Sequence, residues 1–367
     1  MKKGIGNEHR ADAMEILERA IERRRPHPSR VEAFRLLNGS GDDAPPGLAV
    51  DQYGNDLVLW IRPAMEDSVG PWIEALHRRV RPRAMIRKIL RKPVTRSDSS
   101  VIAWAGTDRG DAERSARPTR RGGPDRPDRP DQPDRPEVAG ALELPVEVRE
   151  DGATFHCTLN EGLQTGLFLD QRDARRFVRD HADGRDVLNL FAYTCAFSVQ
   201  AALGGARRVT SVDVSRKALR RGRANMEASG VCADAHRWFD DDVPRHLARL
   251  ARSTQRYGLI VLDPPVLGHS AAASTFALDR DLDGMLENAL AALVLDGLLV
   301  VSIHARAWSQ VRLLGAIQAA ATRVGRGVEL VTQMGLPPWD HPEPRSFVRP
   351  HPDERGNYLT TLVLKAG

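Results

Sequence analysis

The chain has 367 residues, which is long for one compact domain and suits two. Its 41 % hydrophobic and 28 % charged residues supply a sizeable core and exclude a disordered or fibrous chain. A formal net charge of +5, with a pI near 9.3, favours an anionic partner, because basic surface raises the local anion concentration.

No stretch approaches the roughly 20 apolar residues of a membrane span, and Met1-Lys-Lys-Gly-Ile-Gly has no apolar signal core, so a cytoplasmic location is expected. Cys157, Cys195 and Cys232 show no paired spacing, which argues against both a disulfide framework and a metal knuckle.

From the N-terminus, Ala13, Ile16, Leu17, Ala20 and Ile21 recur at helical spacing ahead of the breaker Pro26-His-Pro28, predicting one amphipathic helix within residues 1–30. Residues 31–105 alternate short apolar runs with turn chemistry: Ala33-Phe-Arg-Leu-Leu37, Leu48-Ala-Val50 and Leu57-Val-Leu-Trp-Ile61 around Asn38-Gly-Ser-Gly41 and Tyr53-Gly54. A small α+β domain follows from this, an antiparallel sheet of hairpins with a helix near 68–79 packed on it. Between positions 78 and 96 lie nine Arg and Lys residues and no acidic one, among them Arg87, Lys88, Arg91 and Lys92. Charge of one sign at that density either faces an anion such as an RNA backbone or pairs with acids from elsewhere in the fold. The run has few aromatics, so it offers no platform for stacking bases.

Residues 106–140 break the pattern. Asp125-Arg-Pro-Asp-Arg-Pro-Asp-Gln-Pro-Asp-Arg-Pro136 is charge-balanced and proline-spaced, cannot bury a core, and predicts an extended linker. A second domain then occupies 141–367. It begins with a hairpin, 142–149 and 153–159, and a glycine-punctuated loop, Gly162-Leu-Gln-Thr-Gly-Leu-Phe168, that enters a helix near 173–182. Strands at 186–191, 207–212, 236–239, 257–262 and 297–303 alternate with helices at 197–203, 215–229, 243–253, 279–294 and 309–323. Strands at 328–334 and 358–365 close the chain. The class is α/β: a Rossmann-like, doubly wound, mostly parallel seven-stranded sheet with an antiparallel edge, beside the small N-terminal α+β domain.

Ligands of such sheets bind beyond the carboxyl ends of the strands, which brings Asn189 to Cys195, Asp213 and Asp263 around one crevice. The first turn, Phe191-Ala-Tyr-Thr-Cys-Ala196, contains no glycine, so it does not cradle a diphosphate. Asp213 is placed to accept from ribose hydroxyls or to cap the helix after it. Asp240-Asp-Asp242 is placed to accept from an adenine edge or, equally, to cap a helix.

Gly162-Leu-Gln-Thr-Gly-Leu-Phe-Leu-Asp-Gln-Arg172, Val187-Leu-Asn-Leu-Phe-Ala-Tyr-Thr194, Val212-Asp-Val-Ser215 and Asp263-Pro-Pro265, in this order, resemble class I S-adenosylmethionine-dependent methyltransferases. The nearest resemblance is to the bacterial enzymes that methylate 23S ribosomal RNA at cytosine C5 or guanine N7. It covers about 142–367, and a fainter likeness takes in Pro46-Gly-Leu-Ala-Val-Asp-Gln-Tyr-Gly54. The resemblance implies S-adenosyl-L-methionine as cofactor and RNA as partner. It also implies that Asn189, Phe191 and Tyr193 shape the methionine pocket, that Asp213 takes the ribose and Asp242 the adenine, and that Gln164, Thr165, Phe168 and Arg172 close over the cofactor. Asp263, Pro264 and Pro265 would then hold the methyl acceptor with pre-set carbonyls.

Two departures carry consequences. Cys195-Ala196 replaces the usual Gly-Gly, which is expected to narrow the space beside the cofactor. C5 chemistry needs a thiol nucleophile, which in the family it resembles follows the fifth strand; this chain has Val301-Ser-Ile-His304 there, so N-methylation is favoured, with His304 and His269 each either a proton sink or, equally, a loop histidine. The sequence leaves two rivals: a methyltransferase of small molecules or proteins, suggested by the atypical Val266-Leu-Gly-His269, and a catalytically silent RNA-binding relative.

Overall fold

The computed structural model describes residues 5–25, 30–91, 97–104, 144–268, 276–344 and 358–367. The linker expected at 106–140, Lys92 and His269 lie outside the described residues.

Helix α1 (Ile5–Arg23) packs Ala13, Leu17 and Ala20 into one apolar core with β1 (Ala33–Asn38), β2 (Leu48–Tyr53), β3 (Asp56–Ile61), α2 (Gly70–Val80) and β4 (Ala84–Leu90). The helix is therefore part of the small domain and not a segment apart from it. With β5 (Ser97–Trp104) the strands form one sheet in the order β1-β2-β3-β4-β5. The β2–β3 hairpin turns on Gly54 at a φ of +57°, as the sequence suggests. The expectation of a purely antiparallel sheet does not hold: β3 and β4 run parallel. Their connection carries all of α2, which buries Trp72, Ala75 and Leu76, and a crossover through a packed helix returns the chain in the same direction.

The second domain starts with a two-stranded hairpin, β6 (Pro145–Glu150) and β7 (Ala153–Thr158), and α3 (Arg172–Asp180). Strand and helix then alternate through β8 (Asp186–Leu190), α4 (Ala196–Leu203), β9 (Arg208–Asp213), α5 (Arg216–Ala228), β10 (Arg237–Asp240), α6 (Val243–Ala251) and β11 (Tyr257–Leu262). A short pair, β12 (Leu267–Gly268) and β13 (Phe276–Ala277), precedes α7 (Leu278–Ala292), β14 (Leu293–Ile303), α8 (Gln310–Arg323), β15 (Val328–Met334) and β16 (Thr360–Ala366).

The seven-stranded sheet has the order β10-β9-β8-β11-β14-β16-β15. Its first five strands are parallel, and β16 inserts antiparallel between β14 and β15. Every residue of β11 is buried, because helices cover both faces of the central strand, and this is why it reads as an unbroken apolar run. The strand order reverses between β8 and β11, so the crevice opens at their carboxyl ends.

A buried ion network joins the two domains. Asp340, in the loop after β15, accepts from Arg172 Nη1 at 2.9 Å, from the Arg35 amide at 3.2 Å and from His341 Nδ1 at 2.8 Å. Arg24 forks onto Asp42 at 2.6 and 2.7 Å and donates to the Asp340 carbonyl at 2.9 Å. Glu150 takes Arg175 at 2.6 and 2.8 Å and Arg172 at 3.3 Å. Burial would raise the Asp340 carboxyl, but its bond to His341 and the charges of His341 and Arg172 hold it far below the usual range. No helix among the described residues is long and apolar enough to cross a membrane.

Candidate functional site

The turn after β8 shapes one wall of the crevice. Phe191, Tyr193 and Cys195 have φ of +56°, +48° and +62°, a run of left-handed backbone in non-glycine residues that must be held from outside. Asp213, at the tip of β9, supplies part of that hold. Its Oδ2 accepts from the Tyr193 amide and its Oδ1 from the Ser215 amide, each at 2.8 Å. Burial raises the Asp213 carboxyl above its ordinary value, against the pull of those two amide bonds. Each oxygen keeps a further acceptor site.

Asn189 is buried at the end of β8. Its Nδ2 donates to Ser198 Oγ at 2.8 Å, and its Oδ1 has no partner among the described residues. Phe191 packs on Phe276 with ring centroids 5.3 Å apart.

The glycine-rich loop 162–168 faces this turn. Thr194 Oγ1 donates to the Gly166 carbonyl at 2.6 Å, tying loop to turn. Gly166 sits at a φ of +116°, and a Cβ there would come within 3.2 Å of the His156 carbonyl, so the position requires glycine. The small domain reaches the same loop: Tyr53 OH bonds Thr165 Oγ1 at 2.8 Å, and Lys88 Nζ donates to the Gly162 carbonyl at 3.1 Å.

A cavity of about 1130 Å³ lies between the domains. Gln164, Thr165, Phe168, Tyr193, His304 and Tyr358 line it on one side, and Arg35, Asp51 and Trp60 on the other. At its floor, His304 stands between two carboxylates, with Nε2 3.5 Å from Asp263 Oδ1 and Nδ1 3.8 Å from Asp170 Oδ2. Burial alone would lower the imidazole, but the bond to Asp263 and the charges of Asp263 and Asp170 push it up to about 9. Burial alone would raise Asp170, but the charges of His304, His341 and Arg35 and the bond from Tyr358 OH at 2.9 Å together hold it below its usual value. The Gln171 amide touches Asp263 Oδ1, Ser302 Oγ and His304 Nε2 at 3.1, 2.6 and 2.7 Å. It has two hydrogens for three neighbours, so protonation of His304 leaves Asp263 and Ser302 as its acceptors. Of the proline pair, Pro264 is buried and Pro265 exposed.

Several expectations need correction. Arg172 does not close over a cofactor, because its guanidinium is buried and spent on Asp340, Glu150 and the Ala33 carbonyl. Asp242 caps α6, its Oδ1 accepting from the Arg245 amide at 3.1 Å, which gives it the structural role and leaves the adenine role open at its other oxygen. Lys88 is no part of a basic surface, since it is fully buried beneath Trp60, its Nζ 5.0 Å from the ring centroid. That burial lowers its ammonium to about 8. Much of the neighbouring basic run pairs with acids: Arg78 with Glu74, Arg79 with Glu18, Arg83 with Asp56 and Arg91 with Glu66.

Cys195 does not narrow the crevice either. Its side chain is buried with Ala192, Leu219 and Trp238, turned toward Gly222 of α5. Sequence reasoning passed over Gln171, Tyr358 and the Arg35–Asp51–Trp60 cluster. Gln171 and Asp51 both stood inside motifs already singled out, and this was the available signal.

A parallel sheet reversing at β8/β11, an acidic residue on the next strand tip and a glycine-free first turn define a Rossmann-like protein that binds a nucleoside cofactor lacking a diphosphate. The chain belongs to the S-adenosylmethionine-dependent methyltransferase family, whose model matches residues 128–340, more than half of its length. It is 34 % identical over 224 residues to a Bacillus subtilis protein provisionally named as a ribosomal RNA large subunit methyltransferase, a match spanning 61 % of this chain and 54 % of that one. It is 33 % identical over 296 residues to a ribosomal RNA large subunit methyltransferase of Deinococcus radiodurans, spanning 81 % of this chain and 65 % of that one. The chain thus covers less than two thirds of either relative. Among solved structures, SMU.776, provisionally named as a methyltransferase and crystallised with SAH, has the same fold, with a TM-score of 0.76 at 24 % identity over 97 % of this chain and 81 % of that one.

Proposed function

We propose that this protein transfers a methyl group from S-adenosyl-L-methionine to a ring or amino nitrogen of an RNA base, with large-subunit ribosomal RNA as the substrate. The names of its relatives support the substrate. The observation that carries the nitrogen is the chemistry of the cavity: it is lined by His304, Asp170 and Tyr358, and none of the chain's three thiols lines it. Cys157 and Cys195 are buried and pushed well up by desolvation, Cys157 to about 12, and Cys232 is exposed beyond α5. Addition of a thiolate to a pyrimidine, which C5 methylation requires, has no nucleophile here.

The residues present fit the cofactor. Asn189 Oδ1 is a buried acceptor in want of a donor, as an amino-acid ammonium provides, and the spare acceptor sites of Asp213 suit ribose hydroxyls. Gln164, Thr165, Phe168 and Tyr193 would cover it. When bound, the cofactor supplies an electrophilic methyl on a sulfonium. Asp263 and the rigid Pro264-Pro265 backbone then hold the acceptor nitrogen in line, and preorganised acceptors need no rearrangement. With its pKa near 9, His304 already carries a proton at neutral pH and is not the proton sink. It neutralises part of the charge of Asp170 and Asp263; the surplus carboxylate charge offsets the positive charge a ring nitrogen acquires on methylation, and for an amino nitrogen the Asp263 carboxylate takes the proton that leaves.

Incubation with methyl-labelled cofactor and a 23S ribosomal RNA transcript, followed by mass spectrometry of the nucleosides, is expected to yield an N-methylated base. C5-methylcytidine would overturn the choice of nitrogen, and label appearing only in protein or small molecules would overturn the choice of RNA.

A further inference from the structure

We propose that Trp60, in the small domain, is the surface on which a base of the RNA substrate stacks inside the cavity. This rests on the RNA reading above and extends it to a binding residue in the domain outside the cofactor fold.

Trp60 is half-buried, and its open part lines the cavity opposite Phe168, Tyr193 and His304. Its indole is fixed at the edge, where Nε1 donates to Asp51 Oδ2 at 2.6 Å. Asp51 is fixed in turn, its two oxygens taking Arg35 Nε and Nη2 at 2.7 and 3.2 Å. The Lys88 ammonium, fully buried, sits 5.0 Å from the ring centroid and is itself bound to the Gly162 carbonyl. An aromatic ring locked this way loses no rotamer freedom when a planar partner arrives, and a cation against it draws π density away, which favours contact with an electron-rich base. Asp213 and Asn189, on the cofactor side, are absent from the cavity lining, whereas His304, which neighbours Asp263, is part of it, so the volume of about 1130 Å³ lies on the acceptor side of Phe168 and Tyr193. That is ample for a base turned out of a helix, and enzymes that modify bases hold such a base between aromatic and apolar side chains.

The test uses the full chain and a 23S ribosomal RNA transcript. Trp60→Leu is expected to raise the KM for RNA about tenfold, the scale of one lost base stack, while Trp60→Phe stays within about threefold of the wild type. Calorimetry should give both variants an unchanged cofactor affinity, which separates loss of the stack from collapse of the fold. As a readout on the wild-type protein, ultraviolet crosslinking to the transcript should leave a nucleotide adduct on the peptide carrying Trp60. An unaltered KM in Trp60→Leu, or adducts confined to other peptides, overturns the stacking role while leaving methyl transfer to RNA intact. Absence of both adducts and transfer overturns the RNA reading and this proposal together.

Discussion

Gly222→Ala offers a direct test of where Cys195 points. A Cβ on Gly222 would lie 2.5 Å from Cys195 Sγ, 2.7 Å from its Cβ and 3.3 Å from the Thr194 carbonyl. Ordinary carbon contacts sit at roughly 3.5–4.0 Å, so about an ångström must be found. Cys195 cannot yield it easily: it is fully buried at a φ of +62°, its amide bonds Ala192 O at 2.7 Å and its carbonyl takes the Val199 amide at 2.9 Å. Overpacking of this sort costs about 1–3 kcal/mol, and the better helix propensity of alanine returns up to about 1 kcal/mol, leaving a net loss near 1–2 kcal/mol. Cys195→Gly removes both clashing atoms and relieves a left-handed residue, so in the Gly222→Ala background it should restore most of the loss. Urea unfolding of the wild type, both single variants and the double variant closes the cycle, with a coupling energy of about 1 kcal/mol or more expected. Additive effects, or a Gly222→Ala protein as stable as the wild type, would mean that the thiol faces elsewhere, and the space beside the cofactor would have to be reconsidered.

Asp213→Ala should weaken binding of S-adenosyl-L-methionine in calorimetry by more than tenfold, because it removes the ribose acceptor and frees the Tyr193 amide; unaltered affinity would contradict the ribose role. Asp340→Ala removes one of the two carboxylates paired with buried Arg172, together with the acceptor of the Arg35 amide and His341, and is expected to cost about 3 kcal/mol in urea unfolding, where a change below about 1 kcal/mol would show that this network contributes little to holding the domains together. His304 has a folded pKa raised above its unfolded value of about 6.5, so its stabilising contribution is complete below that pH and is lost as pH rises through about 9. The wild type should lose on the order of 2–3 kcal/mol between pH 6.5 and 9.5 that a His304→Gln protein does not, and parallel pH profiles would refute the charged pairing.

The reading of the second domain from sequence succeeded where a single periodicity ruled a segment. Residues 257–262 were delimited correctly because a short apolar run bounded by turn residues suits a fully buried strand. The small domain was harder for a definable reason: pairing direction depends on what the intervening helix packs against, and α2 sends β4 back parallel to β3. The site shows the same divide. The position of Asp213 and Asn189 beside the crevice was legible because strand tips converge in any doubly wound sheet. The errors at Arg172 and Lys88 share one cause, the assumption that long cations seek solvent or ligand. Here Glu150 and Asp340 bury the first, and Trp60 with the Gly162 carbonyl buries the second. Cys195 was misplaced because its neighbour Gly222 is distant in sequence and visible only once α4 and α5 pack together.

These buried cations change how the two domains are understood. The loop 162–168 is held on one side by Thr194, from the turn that shapes the crevice, and on the other by Tyr53 and Lys88, from the small sheet. A loop fixed from both domains cannot take its working shape when either is displaced. The Asp340 loop, clamped between Arg24, Arg35 and Arg172, holds the same two bodies together at a second point. The shared apolar core of Ala33, Tyr53, Val58 and Ile86 with Val148 and Phe155, and the backbone bridge of Val31 to Glu150, add to these attachments. The small domain is thus a structural part of the crevice: it supplies one wall of the cavity and two of the hydrogen bonds that set the facing loop.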